Sequence, residues 1–371
     1  MMKYYSSKKI REMNCQYNII FGKRSNGKTF DALIHAVEDF YRTGKQFAYV
    51  RRWKEDITGS RASELFNSLI NDGKGKNRIA DLTGGLYDTV LYRNRRWYLT
   101  NLSDQADEKK SFSEMRPMAF GFSLSDMEHD KGSSFPDITT IIFDEFTTRG
   151  YYLKDEFAVF MNVISTIIRH RTDVKIYMLG NTVDQFCPYF NEMGITGAKT
   201  MEQGTIDVYT YGNTNLRVAV EYCEDNTGKK SKTGNLDYFA FDNPKLKMIT
   251  SGAWEIDIYP HLPYKYKPSD VLAEYFIKYQ NEILHAEVIE VENDIFTYIH
   301  RKTSEIKHPD CDLILSDERS PKPNVIYNLF RSTIPAARKI VWFFQNDKVF
   351  YQSNDIGEIV NSFLNFCRAN R

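Results

Sequence analysis

The sequence predicts an α/β domain with a mostly parallel sheet, followed by a small linker and an α+β C-terminal domain. Three observations lead to this fold class: a glycine-bounded loop between an apolar strand and a helix, a later strand that ends in two adjacent carboxylates, and hairpin-forming strands near the C-terminus. The chain has 371 residues, 42% of them hydrophobic, which is enough for two cores. We expect an N-terminal domain at 1–222, a linker at 223–255 and a C-terminal domain at 256–371.

The glycine-bounded loop carries the most specific motif, G-x-x-x-x-G-K-[ST]. Its residues are Gly22, Lys23, Arg24, Ser25, Asn26, Gly27, Lys28 and Thr29. A buried strand is predicted before it at Tyr17–Phe21, and a helix after it at Phe30–Tyr41. In this context backbone N–H groups and a helix N-terminus surround phosphate oxygens. Lys28 is expected to reach the β- and γ-phosphates of ATP, and the Thr29 hydroxyl to bind Mg²⁺.

The second motif is a β-branched, apolar strand at Thr139–Phe146 that contains Asp144 followed directly by Glu145. The carboxyl ends of parallel strands line the ligand crevice, so these acids are expected beside the phosphates. Asp144 suits Mg²⁺, which prefers oxygen ligands. Glu145, which points to the other side of the strand, can polarise an attacking water. The two motifs together predict an ATPase.

Between the two motifs the sequence predicts further elements of the same domain. They are a strand at Gln46–Val50, a helix-like stretch at Arg61–Ile70, a hairpin around Asn94 and Arg95, a strand at Ala119–Leu124 and a surface loop at Ser125–Pro136. The strand at Gln46–Val50 leads into Arg51–Lys54, whose cations could contact phosphates or simply form a solvated basic turn.

After the acidic pair, helical spacing predicts a helix at Phe157–Ile168, and Arg169 and Arg171 follow its end. One of these arginines could be a finger that enters a neighbouring subunit's site, where a guanidinium offsets transition-state charge. Cations at a helix C-terminus are also favoured by the macrodipole alone. The sequence does not separate the two arginines.

The next strand, Val174–Leu179, ends near Asn181 and Thr182, either of which could sense the γ-phosphate or orient water. An intervening strand between the phosphate loop and the acidic pair, a glutamate directly after the aspartate, and this polar-tipped strand are typical of the additional-strand, catalytic-glutamate class of ring ATPases. That class includes helicases, translocases and viral packaging motors.

Within that class the chain resembles the salasmavirus-type DNA-packaging ATPases of small tailed phages. The resemblance rests on four segments: Phe21–Thr29, Tyr49–Lys54, Thr139–Phe146 and Met178–Thr182. It covers the N-terminal domain well, whereas the rest of the chain resembles the family in length and layout rather than in a sharp motif.

The resemblance implies roles for particular residues and for the assembly. Lys28 and Thr29 match the family's phosphate and magnesium residues, and Asp144 and Glu145 match its acidic pair. The trans-acting arginine is expected at Arg169 or Arg171. Lys54 matches a basic position that approaches the neighbour's nucleotide, and Lys131 matches a lid lysine that communicates between subunits. The family combines an ATPase domain, a linker and a ribonuclease-H-like domain without nuclease activity, in a pentameric ring at the portal vertex of the procapsid.

The C-terminal third is consistent with such an α+β domain. Alternation predicts a hairpin between Glu287–Glu292 and Ile295–Ile299, a second hairpin between Ile340–Phe344 and Val349–Tyr351, and a closing helix at about Asp355–Arg368. A polar, glycine-bracketed linker is expected at Glu224–Gly234 and a short helix from Asn243 to about Thr250.

Two-metal nucleases need carboxylates that converge on a shared metal pair. The candidates are Glu287, Glu290, Glu292, Asp310, Asp312, Asp317 and Glu318. Glu290 and Glu292 are expected on a solvated strand face and others in loops, so nuclease activity is not expected. Docking to the portal, to DNA or to packaging RNA is the favoured role of the C-terminal domain.

Composition limits the other classes of function. The formal net charge is zero, so nucleic acid must be contacted through local patches. The five cysteines have no metal-like spacing and suit a reducing compartment, which here would be the host cytoplasm. No run approaches the ~20 apolar residues of a membrane span.

The favoured function is an ATP-driven motor that moves double-stranded DNA into a procapsid through the portal or connector. One alternative is a helicase or translocase with the same ATP chemistry. Another is a non-catalytic assembly protein that nucleotide only stabilises, against which the intact Glu145 argues.

Overall fold

The computed structural model describes residues 4–73, 75–105, 115–126, 134–150, 152–182, 186–224, 258–292 and 294–369. The chain divides into two compact units. The first consists of Met1–Thr148 and Asp155–Trp254, and the second of Arg149–Lys154 and Glu255–Arg371. The predicted linker and the predicted helix from Asn243 lie almost wholly outside the described residues.

The first unit is built on a nine-stranded sheet. Its strands are β1 (Tyr17–Gly22), β2 (Gln46–Arg51), β3 (Thr89–Arg93), β4 (Arg96–Thr100), β5 (Ala119–Ser123), β6 (Ile138–Asp144), β7 (Lys175–Asn181), β8 (Ile206–Thr210) and β9 (Arg217–Tyr222). Their order is β3-β4-β5-β2-β6-β7-β1-β9-β8. The six strands from β5 to β9 in this order pair in parallel, and antiparallel pairs lie only at the two margins. The predicted, mostly parallel α/β sheet is confirmed.

The strand order explains how the two motifs meet. β7 lies between β1, which precedes the phosphate loop, and β6, which ends in the acidic pair. A strand inserted between the strands of the two motifs agrees with the additional-strand class. It is β7, whereas β2, which separates the two motifs in the sequence, pairs with the other side of β6. Because β1, β6 and β7 run in the same direction, their carboxyl ends share one edge of the sheet.

Eight α-helices belong to the described part of the first unit, one before β1 and the others in the connections between strands. They are α1 (Lys8–Glu12), α2 (Lys28–Thr43), α3 (Gly59–Ser63), α4 (Asn67–Ile70), α5 (Arg78–Thr83), α6 (Leu102–Gln105), α7 (Glu156–Ile168) and α8 (Pro188–Glu192). α7 buries Phe160, Val163, Ile164 and Ile167, the 3-and-4 spacing of one helix face. α2 ends at Gly44, whose φ of 71° is the left-handed conformation common after helices.

The local predictions for this unit mostly agree with the structure. The hairpin β3–β4 turns at Asn94 and Arg95, both with positive φ, as tight hairpin turns require. The predicted helix at Arg61–Ile70 is wrong as a single element, because the chain forms α3 and α4 separately. The segment contains serine and asparagine, which have low helix propensity. β8, β9 and α1 were not predicted.

The second unit contains a six-stranded sheet of order β14-β13-β10-β11-β12-β15. Its strands are β10 (Val271–Tyr279), β11 (Glu282–Val291), β12 (Asp294–Arg301), β13 (Ile314–Ser316), β14 (Val325–Ile326) and β15 (Val349–Tyr351). β10, β11 and β12 form an antiparallel meander, and the remaining strands pair in parallel at its sides. Two helices complete the unit, α9 (Pro335–Gln345) and α10 (Asn354–Ala369). The arrangement agrees with the predicted α+β class, and the β11–β12 hairpin is confirmed.

The second predicted hairpin is wrong. Ile340–Phe344 lies in α9, where Ala337, Ile340 and Phe343 are buried at helical spacing, and Pro335 is at the first turn. β15 instead pairs in parallel with β12. The run of aromatic and β-branched residues in α9 has the composition of a strand, but its burial follows a period near three.

The five cysteines are all free thiols, and four of them are buried. Within the described residues no helix is both long and apolar enough to cross a membrane.

Candidate nucleotide-binding site

The phosphate loop joins β1 to α2 and needs glycine at both ends. At Gly27 the backbone has φ of 99°, a conformation that L side chains rarely adopt. At Gly22 the reason is close packing: a Cβ atom there would lie 2.9 Å from the Cβ of Cys223, which follows β9. The loop is therefore shaped both by its own sequence and by a residue far along the chain.

Lys28 is the first residue of α2 and lies buried inside the loop. Its Nζ donates to the carbonyl of Lys23 at 2.8 Å and to the side-chain oxygens of Asn26 and Asn181, each at 3.2 Å. Burial lowers the pKa of Lys28, and the nearby negative charge of Asp144 partly offsets this lowering. The ammonium group is thus held among oxygen atoms at the point where the motif would receive phosphate.

The N-terminal segment supports the loop from outside, a feature that the sequence analysis missed. The Tyr5 amide donates to the Asn26 carbonyl at 3.0 Å, and the Ser7 amide donates to Asp31 at 3.0 Å. The Tyr5 hydroxyl donates to Glu221 of β9 at 2.7 Å. These bonds tie the loop and the first turn of α2 to the edge of the sheet.

Asp144 lies at the end of β6 and faces the first turn of α2. The Thr29 hydroxyl is 3.1 and 3.2 Å from its two carboxylate oxygens, and the Tyr49 hydroxyl donates to Oδ2 at 2.8 Å. Burial, with the nearby charge of Asp144, raises the pKa of Tyr49 well above its usual value. The phenol therefore stays protonated and keeps the carboxylate in place.

These oxygens fit a magnesium ion. Mg²⁺ takes oxygen ligands at ~2.0–2.1 Å in octahedral geometry, so adjacent ligands lie ~2.9 Å apart. The Thr29 and Asp144 oxygens are separated by only slightly more than this. Both belong to the donor type that a hard cation requires, and the residues present are therefore suited to hold the ion with a bound nucleotide.

Immediately after Asp144 ends β6, the backbone turns out of the extended conformation at Glu145. Its φ of 57° is unusual for a residue with a side chain, and such strain is typical of functional sites. The side chain is 57% exposed and pairs with Arg51, whose Nη2 is 2.6 Å from Oε2. Arg51 also lies 3.7 Å from Asp144 and 3.6 Å from Asp56. One guanidinium therefore contacts both acids of the motif.

Arg52 points the other way, into the protein, and holds the backbone that follows the acidic pair. Its guanidinium donates to both carboxylate oxygens of Glu156 at 2.8 and 2.9 Å. It also donates to the carbonyls of Glu145 at 3.1 Å and Phe146 at 2.7 Å. The Tyr189 hydroxyl donates to Glu156 at 2.7 Å, which completes the buried network. Arg52 thereby restrains the turn that carries Glu145.

The polar tip of β7 lies against the phosphate loop. Besides accepting from Lys28, Asn181 is fixed through its backbone, because the Thr147 hydroxyl donates to its carbonyl at 2.8 Å and accepts from its amide at 3.0 Å. The Thr182 amide donates to the Gly22 carbonyl at 3.2 Å. At Gly180 a Cβ would lie 2.6 Å from the Phe146 ring, so the strand tip packs against the acidic turn with no room for a side chain.

The two candidate finger arginines lie away from these groups. Both follow α7, at the opposite end of the helix from the acidic turn. The Arg171 guanidinium donates to the carbonyls of Pro136 at 2.8 Å and of Ile138, the first residue of β6, at 2.5 Å. Arg169 is exposed and has φ of 52°. Neither arginine is brought to the loop of its own subunit.

The remaining candidates from the sequence are less informative. Lys54 follows β2 and pairs with Asp126 at 2.9 Å, on the surface. Arg24 and Ser25 are exposed, and Lys23 is half-buried. Lys131 lies outside the described residues.

The carboxylates considered for a nuclease do not converge within the described part of the second unit. Asp310 pairs with Lys322 at 2.6 Å, and Asp317 accepts from the Gln280 amide at 3.1 Å, with its pKa raised by burial. In the described ranges, the group with metal-ligand proximity is His285, Glu287 and His300, which contains one of the seven acids.

Comparisons with known proteins point to phage packaging proteins. The model of a family described as Podovirus DNA encapsidation protein (Gp16) matches residues 1–84 and 102–237. The DNA packaging protein of Bacillus phage phi29 is 25% identical over 190 residues, which are 50% of this chain and 49% of that protein. The match thus spans about half the length of the curated relative.

Two solved structures are similar in fold. The match to the Phi-28 gp11 DNA packaging motor includes 99% of this chain and 99% of that chain, with a TM-score of 0.55 and 16% identity. The bacteriophage Phi-29 viral genome packaging motor assembly covers 98% of this chain, and 99% of that chain is covered in turn, with a TM-score of 0.55 and 19% identity. At these identities the likeness shows the fold shared along nearly the whole chain.

Proposed function

This chain belongs to the Podovirus DNA encapsidation protein (Gp16) family, and we propose on that premise that it is the ATP-hydrolysing subunit of a motor that moves double-stranded DNA into a procapsid. The observation that carries the proposal is the meeting of the phosphate loop with the acidic strand. The Thr29 hydroxyl lies 3.1 Å from Asp144, and Lys28 is held inside the loop.

The site residues suggest a division of work on bound ATP. The backbone of the loop and Lys28 would contact the phosphates, while Thr29 and Asp144 would hold Mg²⁺, which offsets phosphate charge. Glu145 would accept a proton from the attacking water, and this requires its carboxylate to turn from Arg51 toward the phosphates. Asn181 would exchange its contact with Lys28 for one with the γ-phosphate or the water.

We further propose that the subunits assemble as a pentameric ring that binds ATP at subunit boundaries. An arginine from the neighbour, Arg169 or Arg171, would complete the site, and Lys54 and Lys131 would act at the same boundary. Both arginines lie away from the loop of their own subunit, which supports action in trans. Such fingers contribute about 10³-fold or more to turnover in related phosphoryl-transfer enzymes.

The partners that we propose are double-stranded DNA, the portal or connector, the procapsid and packaging RNA, all met in the host cytoplasm at the portal vertex. The second unit would serve as a docking domain without nuclease activity. Asp310 and Asp317 bind different partners, Lys322 and the Gln280 amide, and neither belongs to the group with metal-ligand proximity in the described residues, which supports this reading.

The chemistry is tested first by replacing single residues. Lys28→Ala and Glu145→Gln should each remove ATP turnover, and Glu145→Gln should still bind nucleotide because the loop is intact. A Lys45→Ala variant, at an exposed position after α2, serves as a matched lysine control. Parental turnover by Glu145→Gln would remove Glu145 from the mechanism.

Trans action is tested by mixing two inactive variants. Glu145→Gln subunits keep their arginines, and Arg169→Ala or Arg171→Ala subunits keep their glutamate. At a 1:1 ratio about a quarter of boundaries in a cyclic ring combine an intact site with an intact finger. Recovered ATP turnover on mixing supports a finger in trans. If both arginine variants hydrolyse ATP at the parental rate in assembled rings, the finger assignment is wrong.

The partner is tested with procapsids, ATP and genome-length DNA, scored for DNA protected from added nuclease. A packaging motor should protect DNA and fail to separate the strands of a bare fork. Strand separation without procapsids would support a helicase, and nucleotide binding without DNA-stimulated turnover would support an assembly protein.

A further inference from the structure

A compact group of metal-binding side chains lies on one face of the second unit's sheet, outside the nucleotide-binding site. His285 of β11 is directly opposite His300 of β12, and Glu287 is two residues from His285 and so on the same face. One potential ligand atom from each of the three residues lies within 4.8 Å of the others. All three side chains are half-buried.

Hydrogen bonds orient the two rings. His300 Nδ1 is 3.3 Å from the Arg301 carbonyl, and its Nε2 is 3.2 Å from Glu287 Oε2. An Nδ1–H that donates to a backbone carbonyl fixes the ring and leaves Nε2 as the ligand atom, the arrangement common for metal-binding histidines. His285 Nε2 is 3.2 Å from Glu274, which lies opposite Glu287 on β10.

Neighbouring aromatic groups support the same face. Phe276 stacks on the His285 ring with centroids 4.8 Å apart, and the Tyr266 hydroxyl donates to Glu287. These contacts pack an aromatic ring against His285 and orient the carboxylate of Glu287. Groups that hold metal-binding side chains in place by hydrogen bonds are a usual part of protein metal sites.

We propose that His285, Glu287 and His300 bind one divalent transition-metal ion, with Zn²⁺ the best match and Glu274 as the nearby fourth donor. Zn²⁺ takes histidine nitrogen and carboxylate oxygen at ~2.0–2.2 Å in a tetrahedron, in which ligand atoms lie ~3.4 Å apart. The ligand atoms lie at most 4.8 Å apart, so side-chain movements on the order of 1 Å would bring them to this spacing. Mg²⁺ and Ca²⁺ take oxygen ligands and are not expected at two imidazoles.

The ion would fasten β10, β11 and β12 to one another at the middle of the sheet. Its role is therefore structural, and it differs from a two-metal nuclease site, which depends on several carboxylates. The inference is independent of the motor function proposed above, because none of its residues contributes to the nucleotide-binding site.

The test uses the full chain, freed of metal with a chelator and carrying Asp144→Asn so that the nucleotide-binding site adds no metal signal. Co²⁺ is titrated while visible absorption is recorded, and Zn²⁺ then displaces it. We expect a stoichiometric, intense visible band that Zn²⁺ removes and that Mg²⁺ leaves unchanged. His285→Asn and His300→Asn should each weaken Co²⁺ binding at least tenfold, whereas His308→Asn, an exposed histidine of the same unit, should not.

Thermal unfolding gives a second readout. Zn²⁺ should raise the melting temperature of the parent and of the His308→Asn variant, and not that of the His285→Asn/His300→Asn pair. If a histidine variant fails to fold, Glu287→Gln replaces it, with an expected tenfold or greater loss of Co²⁺ affinity. An unchanged Co²⁺ band in the double variant, or no Zn²⁺-dependent stabilisation of the parent, would overturn the proposal.

Discussion

The buried pair of Arg52 and Glu156 gives the sharpest test of the site's architecture, because the chain also contains a matched exposed pair. Arg52 and Arg61 each lie 2.8 Å from a carboxylate oxygen, of Glu156 and Asp56 respectively. The Arg52 side chain is 5% exposed and the Arg61 side chain 69%. We compare Arg52→Gln with Arg61→Gln, which remove the same charge from the two environments.

The expected magnitudes differ because the environments differ. Removing one partner of a buried pair leaves an uncompensated charge and costs about 3–5 kcal/mol. Arg52→Gln also removes donors to the carbonyls of Glu145 and Phe146. An exposed pair contributes about 0–1 kcal/mol. With roughly 2–4 °C per kcal/mol for a unit of this size, Arg52→Gln should lower the melting temperature by roughly 6–20 °C and Arg61→Gln by less than ~4 °C.

The assay is thermal unfolding followed by circular dichroism, with ATP turnover measured well below both transitions. Arg52→Gln should also lose ATP turnover, because the turn that carries Glu145 is released, while Arg61→Gln should keep it. Melting temperatures of the two variants within about 2 °C of each other would refute the reasoning, because burial would then not determine how much an ion pair contributes to stability.

The hydroxyl of Thr147, the cysteine thiols and the carboxyl group of Glu221 each allow a further prediction. Thr147→Val should cost about 1–3 kcal/mol in urea unfolding because both backbone groups of Asn181 lose their partner, whereas Thr147→Ser should restore it. A maleimide should label the exposed Cys311 first and the other four cysteines only on unfolding, because those four are buried. Burial also raises the pKa of Cys223 to about 12, which disfavours its reactive thiolate. Rapid labelling of a second thiol in the native protein would contradict this. Burial raises the pKa of Glu221 in the folded state, so the protonated carboxyl group stabilises the fold at acidic pH, and this stability is lost as pH rises through the folded pKa. Glu221→Gln should therefore be more stable than the parent at pH 7 and equal to it near pH 4. Urea unfolding at both pH values measures the difference.

The core of the candidate site was predictable because each part is a local motif at a strand end. Residues 22–29 and the pair Asp144–Glu145 each carry their chemistry within a few residues. The parallel sheet then brings strand ends together by topology alone. For the same reason Asn181 was predictable, although the sequence offered Thr182 equally.

The supporting residues were not predictable, because their partners are distant in the sequence. Arg51 and Arg52 have the same residue type at adjacent positions, yet the first contacts the acidic pair and the second is buried against Glu156. Their opposite directions follow from strand alternation, which the sequence shows, but the partners depend on packing. Tyr49 and Thr147 act through single hydroxyl groups that no local motif distinguishes.

In the second unit, the spacing of apolar residues did not distinguish helix from strand in the sequence. Ile340–Phe344 has the composition of a strand and forms a helix, because tertiary packing selects the face that is buried. β10 was not predicted, because its exposed and buried residues do not alternate in the first part of the strand. The pairing of His285 with His300 needs the register of β11 and β12, which composition does not contain.

The rear wall of the phosphate loop is provided by Cys223, and β1 is hydrogen-bonded to β9 through Tyr17 and Val218. During translation at about 5–20 residues per second, roughly 10–40 s separate the synthesis of Gly22 from that of Cys223. Throughout that interval β1 lacks its β9 neighbour, whereas β7, its neighbour on the other side, is synthesised earlier. The packing around the phosphate loop can therefore be complete only after most of the first unit has been synthesised.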